Sequence, residues 1–106
     1  MTLNEYQQKA MRTAGGLSRE QMILNGAMGM CGEAGEVIDA IKKTYFQGHE
    51  FNATKLCEEA GDVLWYIAVF LSGLGISLKD CAEANVEKLL KRYPNGFETN
   101  KSVNRE

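Results

Sequence analysis

Proline, histidine and tryptophan each occur once in this 106-residue chain. With Pro94 as the one proline, nothing in the first ninety residues forces a helix to break. The three cysteines are an odd number with no C-x-x-C pair, so they make no disulfide framework and point to a reducing, cytoplasmic setting. The longest apolar run, "VLWYIAVFL" at 63–71, is too short to cross a bilayer, and no basic-plus-apolar leader opens the chain. No membrane partner is expected. An excess of positive charge is missing too: 12 Lys and Arg face 14 acids, for a net charge of −2. That balance lacks the basic footprint of a nucleic-acid binder, and none is expected as a partner. Extended period-2 alternation is absent, so strands are not expected.

What is present is helix punctuation. Thr2 with Glu5 makes a capping box for a first helix to about Ala14, stopped by Gly15-Gly16. Ser18 with Gln21 opens a long second segment that closes at Gly48, with Lys42 and Lys43 near its carbonyl end. Asn52 caps a third helix to about Gly73, and Ser77 with Asp80 opens a fourth that Tyr93-Pro94 ends. Apolar residues recur at helical spacing: Leu56, Val63, Ile67, Leu71 and Leu74 on the third helix, and Val37, Ile38 and Ile41 on the second. The third helix is apolar nearly all round over 63–71, which places it centrally. The reading is all-α: a four-helix antiparallel bundle over residues 1–94, then a polar turn and tail over 95–106. A central helix apolar on every side needs more cover than so short a chain provides, so a homodimer or homotetramer is expected.

The second segment carries glycines at 26, 29, 32 and 35. Each costs about 1 kcal/mol relative to alanine inside a helix, so this long helix is expected to be bent or broken. A phosphate-cradling loop would need a preceding strand. Close helix approach, or room for a ligand beside the acids, is the better account, because Gly61 repeats the feature.

The phrase "CGEAGEVI" at 31–38 returns as "CEEAGDVL" at 57–64. Glu33 and Glu36, and again Glu59 and Asp62, are three residues apart, which leaves each pair on one helix face. Val37 and Val63 draw those faces toward the interior. Four carboxylates brought together repel unless protonated or bridged by cations, and oxygen donors favour Mg²⁺, with Mn²⁺ the alternative. A solvated acidic face accounts for any one glutamate, but less well for a duplicated pattern. A di-iron carboxylate site wants Glu-x-x-His, and His49 is in no such motif. Cys31 and Cys57 sit about 200° from the following acid and are expected to be buried core thiols, as is Cys81. In line with the acids are Tyr66, able to stack on a flat ligand, and Lys43; Trp65 is assigned to core packing. Asn85, Lys88 and Arg92 share a stripe on the last helix, fit for a solvated face or for phosphates. Glu58 is one residue off the acidic face.

Glu33-x-x-Glu36, then Glu59-x-x-Asp62 within "EEAGDVLWY", then Asn85-x-x-Lys88-x-x-x-Arg92-Tyr93 resembles the MazG-like family of all-α nucleoside triphosphate pyrophosphohydrolases, over residues 1–94. The resemblance implies Mg²⁺ held by Glu33, Glu36, Glu59 and Asp62. It also implies Lys88 and Arg92 near the phosphates, with Asn85 assisting and Tyr66 beside the base. The reaction implied is cleavage of a ribo- or deoxyribonucleoside triphosphate between the α and β phosphates, to monophosphate and pyrophosphate. Water acidified by the metal would attack, with a carboxylate of the quartet or Glu58 taking its proton. Many members have an acid just before the first ligand, where this chain has Gly32. The rival reading is a non-catalytic helical module that binds nucleotides or dimerises.

Overall fold

Side-chain caps start the four long helices where the sequence places them. The computed structural model describes residues 1–105. Its helices are α1 (Leu3–Met11), α2 (Arg19–Phe46), α3 (Ala53–Leu74), α4 (Leu78–Arg92) and α5 (Thr99–Val103). Thr2 Oγ1 accepts from the Glu5 amide at 3.1 Å, and Ser18 Oγ from the Gln21 amide at 3.1 Å. Asn52 Oδ1 accepts from Lys55 at 3.0 Å and Ser77 Oγ from Asp80 at 3.0 Å. Each cap contributes about 1 kcal/mol.

The second helix is not broken: α2 runs without interruption through 28 residues. Packing against α3 offsets the cost of its glycines. A methyl group on Gly26 would lie 2.6 Å from Phe70 Cβ, and the space a Gly29 side chain would need is taken by the Tyr66 ring. In the other direction, a methyl on Gly73 would meet Ile23 Cγ1 at 2.8 Å. These three contacts set α2 and α3 antiparallel and very close. Gly32, Gly35 and Gly61 instead face open space, so close approach explains only half of the ladder.

α1 is fastened across α3. Trp65 Nε1 donates to the Ala10 carbonyl (3.0 Å) and to Thr13 Oγ1 (2.8 Å). Gln7, buried, donates to Ser72 Oγ and the Ile76 carbonyl (both 3.1 Å) and accepts from the Leu78 amide (2.7 Å). That one side chain therefore ties α1 to the corner between α3 and α4. At the corner Gly75 adopts φ +74°, and the Ile76 amide returns to the Leu71 carbonyl at 2.9 Å, a glycine-terminated helix end.

The four-helix antiparallel bundle is not closed within one chain. α4 leaves α3 at 99° and packs on α1, because the Gly75 stop and the Gln7 clamp turn the chain away from the α2–α3 pair. Among the described residues there are five helices where four were expected: the polar turn and tail over 95–106 includes the single turn α5, after a bend in which Gly96 takes φ +91°. Ala68 and Val69 are fully enclosed, with Leu71, Leu78, Ala10 and Ala14 around them. Leu74, expected in the apolar stripe, is exposed, as is Ile38 at 62%. The three cysteines, expected in the core, are all exposed. Cys31 and Cys57 stand off the α2–α3 contact face, where the other described residues leave them open to solvent. No helix among the described residues is long and apolar enough to cross a membrane by itself.

Candidate metal and nucleotide site

The antiparallel α2–α3 pair brings the two copies of the acidic phrase to one level. Glu33 of α2 and Glu59 and Asp62 of α3 each present a carboxylate oxygen, all within 4.8 Å of one another. Glu33 and Glu59 are half-buried and Asp62 is exposed. The Glu33 carboxyl is held above its ordinary range, chiefly by hydrogen bonding with Glu59, then by desolvation and the charges of Asp62, Glu59 and Glu36. Three convergent oxygen donors whose mutual repulsion favours a proton would accept a hard divalent cation in its place. The donor set fits such an ion.

Glu36 is not part of this compact trio. It is exposed, one turn further along α2, where its charge still reaches Glu33. It borders a groove of about 290 Å³ at the closed end of the hairpin, shared with Asp39, Lys43, Thr44, His49 and Lys55. Glu50 and Asn52 complete its polar lining. Lys43 Nζ is 3.0 Å from Asp39, which also pairs with Lys42 at 3.0 Å. The two ammonium groups, Lys43 first, hold the Asp39 carboxyl below its usual range. Lys55 reaches from the groove to Glu59 at 4.0 Å. Groove and acidic trio are thus contiguous.

Tyr66, expected beside a base, puts its ring against Gly29 and meets Trp65 edge-on, with ring centroids 5.0 Å apart. Glu58 is exposed and outside the trio. Lys88 and Arg92 line a different pocket, between α4 and α5, with Lys91, Lys101 and Arg105; Asn85 is exposed on the same helix. None of that pocket's described lining residues is acidic.

Sequence reasoning passed over several neighbours. Asp39 and Lys55 stand at helical spacing from Glu36 and Glu59, a signal that was available. Tyr6 gave none: tertiary packing alone brings it near the site, where partial burial and then the charge of Asp62 raise its phenol.

Two comparisons with known proteins place the chain among its relatives. The family model described as MazG nucleotide pyrophosphohydrolase domain matches residues 21–97. The chain is also similar to the Gene 37 protein of Mycobacterium phage L5, 34% identical over 73 residues, which is 65% of this chain and 64% of that protein. The chain thus spans less than two thirds of that relative's length. No solved structure gives a significant match. The matched segment takes in α2, α3 and α4, with the acidic trio and the Asn85–Arg92 stripe inside it, and the chain belongs to the MazG nucleotide pyrophosphohydrolase domain family.

Proposed function

We propose that this protein hydrolyses nucleoside triphosphates between the α and β phosphates, releasing the monophosphate and pyrophosphate, with Mg²⁺ as its cofactor. The observation that carries the reading is the convergence of Glu33, Glu59 and Asp62 within 4.8 Å, on a segment matched by the family model. Glu33, Glu59 and Asp62 would hold the cation, with Glu36 joining from the next turn. When bound, a divalent ion supplies neutralisation of phosphate charge and acidification of water.

The side chains divide the remaining work. Water adds to the α phosphorus, the bond from that phosphorus to the bridging oxygen breaks, and pyrophosphate departs with the electron pair. Glu58, solvent-exposed beside Glu59, or a carboxylate of the quartet receives the proton given up by water. Lys88 and Arg92 neutralise the departing phosphates, with Asn85 assisting. In a single chain those cations line a separate pocket on a helix turned 99° from α3. Their role therefore calls for α4 of a second copy, and supports a homo-oligomer.

The test is incubation of the purified chain with ribo- and deoxyribonucleoside triphosphates and Mg²⁺, with products identified by chromatography. Monophosphate and pyrophosphate in equal amounts are expected, and loss of at least about a hundredfold in rate for Asp62→Asn, as for removal of one charged transition-state partner. Full activity in both Asp62→Asn and Glu36→Gln would refute the assignment.

A further inference from the structure

We infer that Lys101 and Arg105, in the tail after α4, are phosphate-binding residues that hold the γ phosphate of the triphosphate, next to the phosphates taken by Lys88 and Arg92. This deepens the proposed hydrolase reading and rests on it. Both residues lie beyond the segment 21–97 that the family model matches.

Local features fold the tail back. Tyr93-Pro94 ends α4, the Gly96 amide donates to the Tyr93 carbonyl at 3.2 Å, and Gly96 takes φ +91°, a conformation that glycine adopts without strain. The Tyr93 and Phe97 rings then meet with centroids 5.2 Å apart. A five-residue helix without a side-chain cap would not persist alone. The turn and the ring contact bring α5 back beside the end of α4, where residues of both helices line one pocket. Asn104 fastens the end of this piece. Its side-chain amide donates to the Asn100 carbonyl at 3.1 Å and to Asn100 Oδ1 at 2.6 Å, which fixes the backbone from which Arg105 leaves.

Charge gives the pocket its chemistry. Five of the chain's twelve cationic residues, Lys88, Lys91, Arg92, Lys101 and Arg105, line it, and no described lining residue is acidic. Among the described residues only Lys91 of the five has a carboxylate partner, Glu87 at 3.6 Å. So many like charges around one cavity repel unless an anion sits among them. The volume, about 620 Å³, falls inside the ~300–1,000 Å³ of small-molecule sites and suits a polyphosphate that reaches from α4 to α5. Arginine adds a planar fork that matches phosphate oxygens. In the proposed reaction Lys88 and Arg92 face the departing phosphates, and α5 travels with α4 as its covalent continuation. The outer element then meets the outermost phosphate. That phosphate is remote from the bond that breaks, so its contacts act on binding more than on the chemical step.

Two measurements on the whole chain test this. In steady-state kinetics, Lys101→Ala and Arg105→Ala should each raise KM for the triphosphate about tenfold, the loss of one charge-assisted contact, with kcat falling much less. Inhibition by the corresponding nucleoside diphosphate, which has no γ phosphate, should be unchanged. KM unaltered in both variants would overturn the inference and leave the hydrolase reading intact. Equal weakening of triphosphate and diphosphate would also overturn it, because the tail would then act through the fold or its general field. In the second, ¹⁵N-labelled protein is titrated with inorganic triphosphate, without metal, in about 0.15 M salt to screen non-specific attraction. The largest shifts are expected at the Lys101, Asn104 and Arg105 amides, and should be lost when Lys101→Ala and Arg105→Ala are combined. Shifts confined to α4, or none, would overturn the assignment. Tighter binding of a single-stranded oligonucleotide than of triphosphate would overturn it in favour of a nucleic-acid face. Shifts across the pocket with no hydrolysis of any nucleotide would leave an anion site standing and overturn its use on a substrate.

Discussion

At the residue scale the chain carries a cost that its proposed ligand would relieve. Glu33 has its carboxyl raised in the fold, first by Glu59. A raised folded-state value means that protonation favours the fold, so this contribution is fully present below the unfolded value and is lost as pH rises through the folded one. In chelator, the melting temperature of the native chain should fall as pH rises from the carboxylate range toward neutral. Glu33→Gln should flatten that slope and be the more stable form at neutral pH, and a steeper slope would contradict the assignment. Saturating Mg²⁺ should reverse the order, adding about 2.7 kcal/mol at a hundred times Kd to the native chain and far less to the variant. The spacing within each pair, Glu33 with Glu36 and Glu59 with Asp62, was readable in the letters because period 3.6 sets it. That Glu36 stands apart from the trio was not, since the register of two helices decides it.

The helical element is where glycine makes its clearest statement. Gly29 and Gly35 are both in α2 and look alike in the sequence, yet one is filled by the Tyr66 ring and the other faces open space. Gly29→Ala should therefore destabilise the fold by about 1–3 kcal/mol through overpacking. Gly35→Ala should stabilise it by up to about 1 kcal/mol through helix propensity. Thermal or urea unfolding of the pair checks both signs, and equal effects would mean that close approach does not explain the ladder. Gln7 belongs to the same scale. Its amide serves three partners at the α3–α4 corner, so Gln7→Ala should cost about 1–3 kcal/mol, the penalty of leaving a buried polar group unmade. Caps and stops at Thr2, Ser18, Asn52, Ser77 and Gly75 were legible because they are local. The corner was not, because Gln7 lies about seventy residues from the groups it holds.

For the molecule as a whole, the dimensions argue for company. The radius of gyration is 16.8 Å, where a compact domain of this length would have about 13 Å. The accessible surface is 7755 Å², against roughly 5,900 Å² for a compact monomer of this mass. The excess, on the order of 1,800 Å², exceeds the roughly 800 Å² per partner of an ordinary interface. Leu24, Met28, Leu64, Val86 and Leu90 are among the apolar side chains left in the open. Light scattering on a size-exclusion column should give a mass at least twice the 11.8 kDa of the chain, and a monomer at micromolar concentration would oppose the shared site. The cysteines, expected inside as core thiols because Cys31 and Cys57 point about 200° away from the acids, are likewise exposed on the single chain.

The letters by themselves determined the helices, their starts and stops, and the family, because capping, helical period and a duplicated acidic spacing are local properties of the chain. Only the tertiary structure decided which glycines are contacts, which acids converge, and that α4 turns away with its cations. Those outcomes depend on the register and crossing of helices, and on a buried amide that joins the first ten residues to the seventies.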